Sequence, residues 1–569
     1  MSERPWFNFY EDGVPRTLEF DDLPVGGYLD RSAREFPDRP ALSFLNRTFS
    51  YRQLKEAVDR FATALAGLGV VKGTRVAVQA PNIPQTAIAY LAIQRLGAHA
   101  VMTNPLYMPR EIEHQWNDAG VEVAVTMDFL WDQKVRSLRD KLPVRDYIIA
   151  SVPEYLKFPL NLLAPLKLKR MDPPTWARVE PEPGVHFFRR LLEASAAAPP
   201  TVDVDMDDIA VIQYTGGTTG VSKGAMLTHR NLSYNVQQVR AWFRGLEPGN
   251  EVLLAALPFF HIFGMTVCLT WPVTVGAKMV LQTNPRDIEL MVKQVVKHRV
   301  TLFPALPALF NAINQHPGVE NLDLRCVKRC FSGSAPLPED VQNRFEELTG
   351  AIIVEGFGLT ETSPVVTANP VEGRRKVGHI GLPLPDTDVR IVDPESGLPE
   401  VPVGEPGELI VRGPQVMKGY LNREQETANT LRNGWLYTGD LAVMDEEGYF
   451  KIVGRKKDMI IASGYNVFPD EIDRVLMSHP KVFESCTIGV PDQKRGETVK
   501  AFVVPAPDGE APTEQELEEW CRQEMAAYKV PKSWEFREEL PKSSMMKLLR
   551  RELRDQEVAR LEEESGGGS

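Results

Sequence analysis

Tyr214-Thr-Gly-Gly-Thr-Thr-Gly-Val-Ser-Lys-Gly224 is the densest chemical signal in the chain. Its small residues let backbone N–H groups approach the oxygens of a phosphate. The hydroxyls of Thr215, Thr218, Thr219 and Ser222 add donors, Gly216, Gly217 and Gly220 keep the backbone accessible, and Lys223 adds positive charge. It is not a Walker A loop, because no Gly-Lys-Ser/Thr closes it at the spacing that motif requires. The competing reading is a plain surface loop. Hydroxyls, glycines and a lysine at this density argue against that.

On both sides of the loop, short β-rich runs alternate with amphipathic ones. Residues 75–80 read as a buried strand, 83–96 as a helix ended by Gly97, and 100–103 as the next strand. That alternation predicts βαβ units and a parallel sheet, and it recurs at 253–257, 278–281 and 351–354. After Gly404-Glu-Pro-Gly-Glu408 the pattern becomes short strands and turns until about residue 453. Beyond Arg455 it becomes a small α+β unit, with helices near 470–479 and 514–526. The expected fold is therefore α/β. A large N-terminal domain (1–454) has parallel-type sheets layered with helices plus a β-rich subdomain, and a small α+β C-terminal domain covers 455–564. Residues 565–569, Ser-Gly-Gly-Gly-Ser, have the composition of a flexible linker.

The chain's 569 residues are 43% hydrophobic and 25% charged, which fits a globular protein and argues against wholesale disorder. Lys+Arg 65 against Asp+Glu 77 leaves −12, so a nucleic-acid partner is disfavoured, although one local cationic patch suffices for a phosphate-bearing small molecule. Five cysteines are too few for a disulfide framework; Cys326 and Cys330 read as buried thiols near a strand, and a reducing cytoplasm fits. The first residues lack the pattern of a signal peptide. Residues 252–277 carry no Asp, Glu, Lys or Arg and are long enough to span a bilayer. Pro258, His261, Gly264, Pro272 and Gly276 instead break them into a strand, a loop and a buried helix. Residues 155–170 mix apolar and basic residues with prolines. Two readings stay open there: an insertion covering the core, or a peripheral contact with the inner face of the membrane.

Several segments, in order, resemble the adenylate-forming superfamily of acyl-CoA synthetases, luciferases and peptide-synthetase adenylation domains. The first is the loop just quoted with its continuation Ala225-Met-Leu-Thr-His-Arg-Asn231. Phe331-Ser-Gly-Ser-Ala-Pro336 resembles the adenine-side loop, and Gly356-Phe-Gly-Leu-Thr-Glu-Thr-Ser-Pro364 the nucleotide and metal motif. Tyr437-Thr-Gly-Asp440 resembles the ribose motif, Gly454-Arg-Lys-Lys-Asp458 the hinge, and Ser463-Gly-Tyr-Asn-Val467 the loop after it. Pro541-Lys-Ser-Ser-Met-Met-Lys-Leu-Leu-Arg-Arg551 resembles the C-terminal lysine motif. Within the superfamily, Asn104-Pro-Leu-Tyr107, Thr283-Asn-Pro-Arg-Asp287, Pro414-Gln-Val-Met-Lys-Gly-Tyr420 and Tyr528-Lys-Val-Pro-Lys532 look like bacterial long-chain fatty acid–CoA ligases.

The resemblance implies activation of a carboxylic acid with ATP and Mg²⁺, then transfer of the acyl group to coenzyme A. Two anions must meet at the α-phosphate, so neutralising charge and donors are required. By the same resemblance, Lys223 and the hydroxyls of its loop hold the outer phosphates, and Thr218 and Glu361 place the metal. Thr360 donates to the α-phosphate, and Gly333, Ser334, Ala335, Gly356, Phe357 and Gly358 flank the nucleotide. Asp440 and Arg455 take the ribose side. Lys547 bridges carboxylate and phosphate. His261, Gly333 and Thr362 border the acyl pocket, Lys457 marks the hinge of a mobile lid, and Gly464 and Tyr465 face coenzyme A.

One departure stands out. Met546 occupies the position before Lys547 where the family usually has glycine, and bulk there is expected to weaken adenylation. The alternatives implied are a medium-chain or aryl acid–CoA ligase, an acyl-AMP ligase, and a degenerate acyl-nucleotide binding protein.

Overall fold

The computed structural model describes residues 4–215, 222–462, 465–492, 496–507, 510–543 and 548–566. The calls at Gly216, Gly217, Thr218, Thr219, Gly220, Gly464, Met546 and Lys547 lie outside the described residues. The chain divides into two compact units: Trp6–Asp388 with Arg412–Gly434, and Val389–Val411 with Trp435–Ser569.

The larger unit holds two sheets. In the first, the parallel strands Ile209–Thr215, His99–Met102, Arg75–Gln79, Val123–Met127, Asp146–Ala150 and Val185–Phe187 lie side by side. Lys223–Thr228 and Gly419–Tyr420 extend its edge in antiparallel register. In the second, Ile352–Gly358, Arg329–Ser332, Leu302–Ala305, Val252–Ala255, Lys278–Leu281 and Pro40–Phe44 are parallel. Val365–Ala368 and Leu382–Pro383 continue it antiparallel at one end.

Burial follows the sequence pattern. The helix Pro84–Arg95 is apolar on nearly every face, and all its residues but Arg95 are buried. That is the signature of a helix packed on more than one side. Tyr51–Gly67 starts at Ser50, whose hydroxyl and the Gln53 side chain form a capping box. The uncharged run 252–277 forms the strand Val252–Ala255 and the buried helical turns Gly264–Thr270 and Trp271–Thr274. Among the described residues no helix is long and apolar enough to cross a membrane.

The smaller unit contains the antiparallel strands Gly407–Arg412, Trp435–Met444 and Phe450–Arg455. A second sheet is built on the long pair Val482–Asp492 and Gly496–Pro505. The helices Pro469–Met477 and Glu514–Glu524 match the expected ones within a few residues. Two local features differ from expectation. Glu424–Thr430 is helical where only strands and turns are expected, with Glu424 and Glu426 placed to favour the helix N-terminus. The terminal helix Arg550–Gly566 also runs into the stretch expected to be a flexible tail.

Candidate active site

Strand pairing builds the two flanks of the expected phosphate loop in the larger unit. Ile209–Thr215 and Lys223–Thr228 are antiparallel neighbours, and their register sets Thr215 opposite Lys223 and Tyr214 opposite Gly224. Tyr214 donates to Asp118 Oδ2 at 2.6 Å, locking the first strand end to the helix Pro109–Ala119. Gly224 is obligatory here, since a Cβ would lie 2.8 Å from the Ile212 side chain. At the far end of the second strand, Thr228 and Asn231 form a capping box for the helix His229–Trp242. The Asn231 amide also donates to the carbonyls of Pro414 (2.8 Å) and Val416 (2.9 Å). That tie carries the 414–420 segment onto the sheet edge, where Tyr420 pairs with Ala225.

Tyr420 is one site residue whose role the sequence does not reveal. Its Oη donates to Glu361 Oε1 at 2.7 Å, and Lys223 Nζ lies 5.2 Å from its ring centroid. The expected metal ligand and the expected phosphate lysine therefore meet on one aromatic side chain. Burial first, and the charge of Glu361 second, raise the Tyr420 phenol well above its ordinary value, so it stays a donor. The only sequence signal was its place in Lys418-Gly419-Tyr420, and nothing local names its partner 59 residues away. Tyr420→Phe should raise KM for Mg·ATP about 10- to 100-fold with kcat little changed, because a hydrogen bond to a charged group is worth about 1.5–3 kcal/mol. An unchanged KM in steady-state kinetics would remove Tyr420 from this role.

Glu361 and Thr360 sit in a short turn, Thr360–Thr362, after the strand Ile352–Gly358. Thr362 is buried, and its hydroxyl is engaged within the turn, at 2.5 Å from the Pro364 carbonyl. Ser363, at φ 71°, donates to the Gln415 carbonyl at 3.0 Å. The glycines before the turn are fixed by close approach. A Cβ on Gly358 would lie 2.1 Å from the Pro364 carbonyl oxygen, and one on Gly356 2.5 Å from the Phe331 ring.

The expected adenine and acyl residues gather beside this turn. Gly333 is buried, and a Cβ on it would lie 3.4 Å from the Phe263 ring, while Ser334 and Ala335 are exposed. Phe263 meets Phe331 edge to face at 5.5 Å. His261 accepts from the Phe263 N–H through Nδ1 at 3.3 Å, so its ring is oriented by its own loop. Phe357, half-buried, lies two residues beyond Glu355 on the same strand face.

Glu355 was not expected. It is 6% exposed; Oε1 accepts from the Leu337 N–H at 3.1 Å, and Oε2 has no hydrogen-bond partner among the described residues. Burial pushes its carboxyl up to about 7. A folded-state value above the unfolded one means that stability falls as pH rises between the two. Glu355→Gln keeps the acceptor and abolishes ionisation. Its urea midpoint should exceed the wild-type value at about pH 8, and the two should converge near pH ~4.5.

In the smaller unit, antiparallel register sets Asp440 opposite Arg455. Arg455 Nε lies 2.7 Å from Asp440 Oδ1, and the carboxylate is almost fully buried. Gly439, at φ 70°, donates to Glu408 Oε1 at 3.1 Å, and Lys456 Nζ meets Glu408 Oε2 at 2.9 Å. Glu408 thus ties the Asp440 turn to the segment containing Lys457, a link between distant residues that local sequence cannot report. Lys457 is half-buried in the turn that follows Arg455, and Tyr465 begins the strand Tyr465–Val467.

A model of AMP-binding enzymes matches residues 29–421, and one of the AMP-binding enzyme C-terminal domain matches 471–547. The chain is 42% identical over 560 residues to a long-chain-fatty-acid–CoA ligase of Bacillus subtilis, covering 98% of this chain and 99% of that one. It is 41% identical over 564 residues to a ligase of the same description from Yersinia pestis, covering 98% of each. The crystal structure of an anthranilate CoA ligase in complex with anthranoyl-AMP superposes with a TM-score of 0.84 at 26% identity, covering 95% of this chain and 98% of that one.

Proposed function

The chain belongs to the AMP-binding enzyme family, and from that premise we propose that it is a long-chain fatty acid–CoA ligase. It activates a fatty acid with ATP as an acyl-adenylate and transfers the acyl group to coenzyme A, releasing pyrophosphate and then AMP. The observation that carries this reading is the near-full-length similarity to long-chain ligases.

The acid is a poor acyl donor because its leaving group is oxide. Attack of a carboxylate oxygen on the α-phosphorus expels pyrophosphate and leaves a mixed anhydride; attack of the coenzyme A thiolate on its carbonyl expels AMP. In this reading Lys223, with Thr215 and Ser222, steadies the outer phosphates, and Thr360 donates to the α-phosphate. The donor set fits Mg²⁺, since Glu361 offers a half-buried carboxylate oriented by Tyr420, and a hard cation prefers oxygen ligands. When bound, the metal would neutralise phosphate charge. Asp440, oriented by Arg455, accepts the ribose hydroxyls, and Gly333, Gly356 and Phe357 bracket the base. Lys547 neutralises the meeting anions. His261 and Phe263 edge the acyl pocket, where each buried methylene contributes about 0.8 kcal/mol.

The functional boundary in this reading stays at 454/455, with 455–564 as a lid that turns between half-reactions, presenting Gly464 and Tyr465 to coenzyme A. Lys457→Pro, which fixes φ and removes an N–H, should slow thioester formation more than adenylation. Equal loss in both half-reactions, followed by rapid quench, would count against a hinge. The reading includes peripheral membrane contact through residues 155–170.

The ligase reading is tested with ATP, Mg²⁺ and hexadecanoate, octanoate or benzoate, each with and without coenzyme A. The expected result is AMP release that needs coenzyme A and is most efficient with hexadecanoate. Acid-dependent pyrophosphate release without coenzyme A-dependent AMP formation would instead identify an acyl-AMP ligase. Preference for benzoate would identify an aryl acid ligase.

A further inference from the structure

Between Tyr155 and Met171 the chain carries Lys157, Lys167, Lys169 and Arg170 and no acidic residue, although the protein as a whole is at −12. The helix Leu160–Leu168 at the centre of this stretch buries none of its residues. Leu162 is 63% exposed, Leu166 62% and Phe158 78%, and Leu160, Leu163 and Met171 are exposed as well. Leu162, Leu163 and Leu166 are related by three- and four-residue spacings and share one helix face. Large apolar side chains clustered in solvent mark an interaction surface.

The stretch is held by the folded core on both sides. Tyr155 is buried against Phe49 at 5.4 Å, with the Arg47 guanidinium 5.3 Å from its ring centroid. Lys157 N donates to Asn46 Oδ1 at 3.3 Å. Beyond the helix, Thr175 N donates to the Leu168 carbonyl at 3.0 Å, and Gln133 donates to the Pro174 carbonyl at 2.8 Å. The exposed leucines are thus carried on a tethered element.

We infer that Phe158–Met171 docks on an anionic lipid surface, with Phe158, Leu162, Leu163 and Leu166 entering the interface and Lys157, Lys167, Lys169 and Arg170 meeting lipid phosphates. This deepens the peripheral contact within the ligase reading by naming its partner and the inserted residues. Charge complementarity selects the partner: apolar residues interspersed with four cations, with the nearest exposed carboxylate, Asp172, just past the stretch, match the boundary between acyl chains and anionic headgroups. A nine-residue helix is about 14 Å long, so it lies in the interface and does not span it. A long-chain acid partitions into the same bilayer, which places the enzyme at its substrate.

The test uses the full chain in flotation with vesicles of phosphatidylglycerol and phosphatidylcholine, and with phosphatidylcholine alone. Wild type should float with the anionic vesicles and much less with the neutral ones. Neutralising Lys167, Lys169 and Arg170 to Gln should lower the partition coefficient about 10²-fold, at roughly 1 kcal/mol per charge. Leu162→Glu with Leu166→Glu should abolish flotation. Turnover of hexadecanoate delivered on albumin should stay at the wild-type value in every variant, while turnover of vesicle-borne hexadecanoate falls. Wild type that ignores anionic vesicles, or leucine variants that float normally, would overturn the inference, as would sedimentation showing that the leucines only join two copies of the chain. Loss of albumin-delivered turnover in wild type would instead sink the ligase reading, while flotation would still report on the lipid surface.

Discussion

Lys547→Ala should slow acyl-adenylate formation by about 10²- to 10³-fold, the cost of removing one preorganised charge from a reacting anion pair. Thioester formation from a supplied acyl-adenylate should stay near the wild-type rate, because the carboxylate–phosphate repulsion is already gone by then. Lys547 itself lies outside the described residues, but its flanks are held. Lys542 and Leu548 form an antiparallel bridge, and Leu549 N donates to the Pro541 carbonyl at 2.9 Å. Lys542 also pairs with Glu484 at 2.9 Å. Measuring the two half-reactions separately in single-turnover experiments gives the split. A loss of less than about threefold in adenylation would mean that the charge is not realised in the transition state; Met546 beside it gives a physical reason for such an outcome.

Arg550→Met is the second large effect, and it concerns the integrity of the smaller unit. Arg550 opens the terminal helix and makes short ion pairs with Asp470 and Asp473 of the helix Pro469–Met477. Asp473 is buried and also accepts from Thr487 at 2.7 Å. Burial pushes the Asp473 carboxyl up to about 6, and the Arg550 charge is the main force opposing that rise. Removing one partner of a buried pair costs about 3–5 kcal/mol, because the other charge is left without compensation. The pH dependence follows from the sign. With Arg550 gone the folded-state value climbs further above the unfolded one, so stability is lost as pH rises through that window. The variant should be most destabilised at about pH 8 and closer to wild type at about pH 5, where Asp473 is protonated and neutral. Hydrogen exchange over 469–504 reads this directly. Equal destabilisation at both pH values would mean that packing, not charge, holds the helix.

Much of the fold is legible in the sequence alone. Strand and helix alternation over 75–103 matches the observed elements to within a residue or two, since local periodicity reports which face is apolar. The site was legible as a list of residue types, because glycines, hydroxyls and a lysine must lie close in the chain to form a phosphate loop. Tyr420, Glu355 and Glu408 were not legible. Each acts through a partner distant in sequence that only tertiary packing brings alongside it.

The sequence by itself determined the chemistry: which motifs are present, in what order, and hence the family and the reaction. Tertiary structure decided everything that depends on what covers what. The uncharged run 252–277 and the leucines of 158–171 are both strongly apolar in sequence. The first lies buried in the core of the larger unit, and the second stands in solvent among cations. Hydrophobic pattern records an appetite for burial, but only the packing of distant segments supplies, or withholds, the surface that satisfies it.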